Sequence, residues 1–294
     1  MLRLTRAQRG FGVFNVALMI AAMLVCLLPL VNVIAVSLST QGAVASGAVT
    51  FWPVGATTIA YRTILREKNF LTAFYTSVKR VAVGVPLNML LSIMAAYPLS
   101  KEKGRLMFRQ GYVWYFIVTM LVSGGLIPTY LTMRAYGLRN SFWVLVLPSA
   151  MQVYNTILLL NFFKGIPQEL EEAARIDGAG HWRILWGVYV PCSLPALATV
   201  MLFCIVFHWN EWFSAQIYMN RTESYPLQSY LQTLLNMTKN LQNLSPKEQE
   251  EMAKINTRTF NAAQIVISTI QVLVVYPFLQ RYFVTGLTLG GVKG

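Results

Sequence analysis

The sequence predicts an all-α fold, a polytopic membrane bundle of six transmembrane helices with a helix-turn-helix between spans four and five. Three observations predict it. Hydrophobic residues make up 55% of the 294-residue chain and charged ones only 12%, about half the share an ordinary soluble domain carries. Mean hydropathy is +0.51. The apolar residues are gathered into long runs separated by polar, basic connections, which the interior of one soluble domain does not require.

A helix needs about 20 mostly apolar residues to cross a bilayer. Six segments qualify: Val13–Leu38, Leu71–Leu99, Tyr112–Met133, Phe142–Phe163, Leu194–Met219 and Ala262–Phe283. Arg3, Arg6 and Arg9 precede the first in the manner of a signal peptide. Its apolar run exceeds a secretory core of about 7–15 residues, which makes it a retained span. Lys79 and Arg80 interrupt the second near its start, leaving Val81 to Leu99 as its clean part.

Orientation follows from local basic charge. Whole-loop counts are even, but three arginines crowd the N-terminus and the next basic residue is Arg62. Lys101, Lys103, Arg105 and Arg109 fill the short loop after span two. Both facts place the N-terminus in the cytoplasm, and six spans return the C-terminus there. The long connections, about 39–70 and 220–261, are then external. In the second, "YPLQSYLQTLL" has helical spacing, and Ser245, Pro246 and Glu248 read as a helix start. A solvated surface helix and a docking surface for an external partner both fit it.

Between spans four and five, at about 165–191, lies the polar stretch "GIPQELEEAARIDGAGHWRILWGVYVP". Pro167 suits a first helical position, and Glu169, Glu171 and Glu172 suit a helix start electrostatically. Leu170, Ala173 and Ala174 give a narrow, small-residue face. Asp177-Gly178 is a turn signal, with glycine free to take positive φ. A second helix carries Trp182, Leu185, Trp186 and Tyr189 on one face and stops at Pro191. The first helix fits either a knob for a cleft or an interfacial linker.

Span five is interrupted by His208, Trp209, Asn210, Glu211 and Trp212. Ionisable groups inside a membrane helix are costly and mark functional candidates. His208 and Glu211 share a helix face, and at 1.5 Å per residue Glu211 lies about 9 Å outward of the span's middle. Three readings are open: a local His208–Glu211 pair packed against neighbouring helices, a translocation pathway whose tryptophans stack on sugar rings, or a proton relay.

Other chemistry is excluded. There is no Walker A loop, GxSxG elbow or HExxH pair, and no nucleic-acid face, since the basic residues of this +13 chain are scattered among loops. Lipid headgroups and topology account for them. Cys26, Cys192 and Cys204 show no disulfide or zinc spacing, and His181 and His208 are the two histidines. No metal or cofactor site is expected.

Glu172-Ala173-Ala174, then Asp177-Gly178-Ala179, then Pro191 and Pro195, resembles the EAA loop of ABC importer permeases. "AAYPLSKEKGR" (Ala95–Arg105), "IPTYL" (Ile127–Leu131), "WNEWF" (Trp209–Phe213) and the C-terminal "FLQRYFVTGLTLGGVKG" extend the likeness along the chain. They are similar to the carbohydrate branch, and to the six-span second permease of maltose-type importers. Val190-Pro191 and Leu194 depart from the leucine and lysine common there.

The resemblance implies a single permease domain over 1–294 in a bacterial-type inner membrane, working as an oligosaccharide importer subunit, with acidic fragments such as alginate among the candidates. It implies a second permease, two copies of a cytoplasmic ATPase that hold ATP and Mg, and an external solute-binding protein. On the matching positions it makes Glu172, Ala173, Ala174, Asp177, Gly178 and Ala179 the ATPase-coupling surface. The tail "GLTLGGVKG" would lie near the ATPases. An ion-coupled secondary transporter using Glu211 and His208, or a membrane scaffold, are the alternatives.

Overall fold

Every regular element among the described residues of the computed structural model is helical, as the apolar periodicities require. The structure describes residues 6–66, 68–101, 107–239 and 258–270, with positions 273 and 277. Ser245, Pro246, Glu248, Lys103, Arg105, the "GLTLGGVKG" tail and most of the second half of span six lie outside the described residues. The chain divides into two compact units, Met1–Lys68 with Leu234–Ile270, and Asn69–Thr233 with Gln271–Gly294.

The first unit is built on α1 (Arg6–Ser37), a 32-residue helix whose apolar side chains are almost all exposed, as suits a helix that is hydrophobic all round. The expected external connection after it contains α2 (Gln41–Ala45) and α3 (Ile59–Arg66). It folds back on the end of α1: Ser39 Oγ accepts from Val54 N–H at 3.0 Å, and Ser37 Oγ meets Tyr61 OH at 2.7 Å. A helix over 258–270 opens the sixth span, four residues earlier than its apolar run.

The second unit holds the other spans. α4 (Lys68–Ser100) runs unbroken for 33 residues through Pro86 and Pro98. The third span is not one helix. α5 (Arg109–Leu121) and α6 (Leu126–Ala135) meet at 112°, because Ser123-Gly124-Gly125 breaks the ladder, with Gly125 at φ +83°, and Pro128 sits in the first turn beyond. The fourth span opens as two 3-10 turns, Phe142–Leu145 and Leu147–Ser149 around Pro148, then bends by 45° into α7 (Val153–Lys164).

The polar stretch forms α8 (Gln168–Ile176) and α9 (His181–Ile184). Pro167 stands at the N-cap of α8, one position before the expected one. The second helix does not stop at Pro191. It passes through a π-helical turn, Leu185–Tyr189, into α10 (Val190–Cys192), and bends by 84° at Ser193 into α11 (Leu194–Asn210). Proline lacks an N–H and crowds the carbonyl four residues back; the widened turn, with Val190 N–H reaching Leu185 C=O, makes room for it. Span five ends at Asn210, and α12 (Phe213–Tyr218) follows after Glu211-Trp212. "YPLQSYLQTLL" is helical in α13 (Leu227–Lys239), as its spacing predicts.

The core of this unit lies where α4 (Val85, Met89, Ile93, Ala96), α7 (Leu159, Phe163) and α11 (Ala196, Val200, Cys204) pack on Ile184, Leu185 and Tyr189. A buried polar stripe runs down α4 through Ser77, Arg80, Asn88 and Ser92, with Gly84 in its middle. Spacings of three and four keep it on one helix face.

Candidate functional site

α8 turns most of its side chains outward, Leu170 and Ile176 included, while Glu171 is buried and Ala174 half-buried against the core. Its C-terminus is closed by a Schellman motif. Gly178 N–H donates to Arg175 C=O at 3.0 Å and Ala179 N–H to Ala174 C=O at 2.9 Å, with Gly178 at φ +77°. Ala174 and Ala179 are half-buried against the core, the apolar contact that goes with this cap. Glu172, Ala173, Asp177 and Gly178 are exposed, beside Ile176 at 87% exposure. The six expected surface residues thus share one short helix and its turn, four of them open and two seated inward.

The neighbouring acid behaves differently. Glu171 is 2% exposed, and its Oε2 accepts from Lys101 Nζ and from Tyr189 OH, both at 2.7 Å. Its Oε1 accepts from Arg175 Nη2 at 2.9 Å. Successive residues on a helix turn by about 100°, so Glu171 points to the core where Glu172 points out. Burial opposes ionisation of Glu171, but hydrogen bonds from Lys101, Tyr189 and Arg175 outweigh it and hold its carboxyl at about 2. Lys101 Nζ lies 3.9 Å from the Tyr97 ring centre and 4.0 Å from that of Tyr189, a cation held in the corner of two nearly perpendicular aromatic rings. The four expected aromatic-face residues divide: Leu185 and Tyr189 are buried with Ile184, while Trp182 and Trp186 are 63% and 45% exposed. The π turn shifts the register between them. A pocket of about 380 Å³ opens beside Lys101, lined by Met94, Tyr97, Pro98, His181, Trp182 and Leu185.

In span five, His208 and Trp209 are buried, Glu211 is half-buried, and Asn210 and Trp212 are exposed. His208 and Glu211 do not pair with each other. Both are met by α4, as the stripe of three- and four-residue steps dictates. Arg80 Nη2 lies 2.6 Å from Glu211 Oε2, and its Nη1 donates to the Glu211 carbonyl at 2.8 Å. That places a cation on the C-terminus of α11, where the helix dipole favours it. Glu211 Oε1 accepts Ser214 N–H at 2.8 Å, starting α12. Asn88 Nδ2 donates to Ser149 C=O at 2.8 Å, which leaves its Oδ1 to accept from His208 Nε2, also at 2.8 Å. His208 lies directly over Gly84, where a Cβ would come within 2.5 Å of Nε2. His208 and Glu211 are each tied to α4, while Asn210 and Trp212 are exposed.

Sequence reasoning thus missed Arg80, Gly84, Asn88, Lys101, Glu171 and Tyr189 as parts of these two clusters. A signal existed for one of them. An acid in one span calls for a base in another, and Arg80 was visible as the interruption of span two. Among the described residues no group of histidines, cysteines and carboxylates is arranged for a metal.

Residues 56–288 match the family of binding-protein-dependent transport system inner membrane components. The chain belongs to that family. The polygalacturonan/rhamnogalacturonan transport system permease YtcP of Bacillus subtilis is 38% identical over 98% of this chain and 99% of its own. Protein LplC of the same organism is 35% identical over 99% and 97%. A crystal structure of a bacterial ABC transporter involved in the import of the acidic polysaccharide alginate superposes with a TM-score of 0.86 at 33% identity, over 96% of this chain and 100% of that one. The permease fold and the ABC importer class expected from the EAA-like loop are those of the family, and membership speaks against the ion-coupled alternative.

Proposed function

We propose that this permease imports acidic oligosaccharides, and that α8 and its glycine turn are the surface through which a cytoplasmic ATPase drives it. The observation that carries the coupling reading is the exposed Glu172–Gly178 edge on a capped helix whose other side is anchored to the core. Glu172 offers a carboxylate to a basic group of the ATPase, Ala173 admits a close backbone, and Gly178 makes the turn compact. The N- and C-termini lie in the cytoplasm, on the side of the basic loop after α4. The whole chain acts as one permease domain beside a second permease, with an external binding protein delivering substrate. ATP and Mg sit on two ATPase copies, and this chain binds neither. ATPase closure shifts the bundle between inward- and outward-open populations.

The substrate class rests on relatives named for polygalacturonan and for alginate, both polymers of sugar acids. The reading is tested in proteoliposomes holding both permeases, the ATPase and a binding protein loaded with a uronate or a neutral oligosaccharide. ATP-dependent uptake of the uronate is expected, and its loss in Glu172→Ala and in Gly178→Trp with both permeases still in the membrane. Full ATP-dependent uptake by both variants would sink the coupling role. Preference for the neutral sugar would sink the substrate class.

A further inference from the structure

We infer that Lys101, Glu171 and Tyr189 form a clasp that fixes α8 to the adjoining ends of α4 and of the span-five chain, making them positioning residues that turn α8 displacement into span movement. The inference rests on the reading that α8 is the surface the ATPase moves.

α8 has nine residues, fewer than the ~12–15 an isolated helix needs in water. It hangs between Gly165 on one side and Gly178 and Gly180 on the other, three positions at which the chain turns easily. A push on a helix held by such turns would be spent on rotating the turns. Covalent connection alone therefore does not carry force into the bundle.

Glu171 supplies what the connection lacks. Its carboxylate joins three pieces of chain: Lys101 at the end of α4, Tyr189 in the π turn that leads into α11, and Arg175 one turn further along α8. The aromatic packing extends the tie. Tyr97 meets Tyr189 edge-on at 5.0 Å, and Tyr189 meets Phe163 of α7 at 5.5 Å. Lys101 is only 8% exposed and Glu171 2%. Removing either one takes a hydrogen-bonded charge partner out of a nearly dry site, which is why such a tie resists opening under load; with Lys101 removed, Arg175 keeps its own bond to Glu171. Adjacent acids thus divide the work: Glu172 faces outward to the partner and Glu171 holds the helix to its own chain.

The test uses the complete transporter in proteoliposomes and measures substrate carried per ATP hydrolysed for Lys101→Met, Glu171→Gln and the double variant. With the ATPase still copurifying, each single variant should lower that ratio by about fivefold or more, the lower end of ordinary coupling energies. The double variant should lose no more than the worse single one, because the two residues act as a unit. An unchanged ratio in the singles, or losses that multiply in the double, would overturn the clasp. Should the charge variants fail to accumulate in the membrane, Tyr189→Phe decides: it keeps the ring and removes one hydrogen bond, and a native ratio there overturns the proposal as well. Failure of the docking reading looks different, since Glu172→Ala and Gly178→Trp would then leave the ratio native whatever the clasp variants do.

Discussion

Arg80 and Glu211, 131 residues apart in sequence, are joined twice: by an ion pair at 2.6 Å and by a hydrogen bond from the guanidinium to the Glu211 carbonyl. Arg80 is 1% exposed on its side chain and Glu211 17%. A buried pair adds little over a well-packed apolar one, but losing one partner costs about 3–5 kcal/mol. Arg80→Leu should therefore destabilise the chain by that order. Combining it with Glu211→Leu should recover part of the loss, since no lone charge remains. Thermal unfolding of the detergent-solubilised protein measures both; equal stability of Arg80→Leu and the native chain would count against the tie.

Gly84 is required by the ring above it. A Cβ there would lie 2.5 Å from His208 Nε2 and 2.6 Å from Cε1, and His208 cannot move off without leaving Asn88. Gly84→Ala should cost about 1–3 kcal/mol, the range for overpacking, even though alanine is the better helix former. His208→Ala should relieve the clash, so the double variant should be no less stable than His208→Ala alone. A stabilising Gly84→Ala would mean the two helices are not this close.

The elements legible in the sequence were those set by composition and short-range chemistry. Apolar runs located the spans, and Asp177-Gly178 located the α8 cap to the residue. What stayed hidden depends on which helix meets which. Lys101 reads as one of four topology charges, and Glu171 as one of three dipole-favoured acids. Nothing in spacing says that these two, 70 residues apart, share a site. The π turn was equally invisible, because an i to i+5 ladder leaves the same apolar pattern as an α-helix until the register of Trp182 and Trp186 is compared with that of Tyr189. The break in span three was the exception: Ser123-Gly124-Gly125 with Pro128 carried the usual punctuation, masked by the apolar residues on either side.

Gly178 separates backbone strain from surface shape. Its φ of +77° penalises any side chain, yet nothing lies within 4 Å of an added Cβ. Gly178→Ala should cost the isolated chain about 1–2 kcal/mol, and Gly178→Trp about as much, because the extra bulk meets open space. On the proposed function the two diverge on ATPase binding, with tryptophan blocking association and alanine weakening it far less. Copurification at matched membrane levels checks this. Equal ATPase recovery for both would take Gly178 out of the contact.

Glu171 gives a pH signature with a definite sign. Its carboxyl is held at about 2 against an ordinary value of 4.5, so the folded state binds its proton less readily than the unfolded state. A group depressed in this way adds stability that is complete above about pH 4.5 and is lost as pH falls toward 2. At neutral pH, Glu171→Gln removes the carboxylate bonded to Lys101 and Arg175 and should be less stable than the native chain by about 3–5 kcal/mol. The other carboxylates titrate in both proteins and cancel in the comparison. The gap in melting temperature should therefore narrow as pH drops from 4.5 and nearly close by 2, through weakening of the native chain. A gap that stays constant down to pH 2 would show that the Glu171 charge is not what holds α8 to α4.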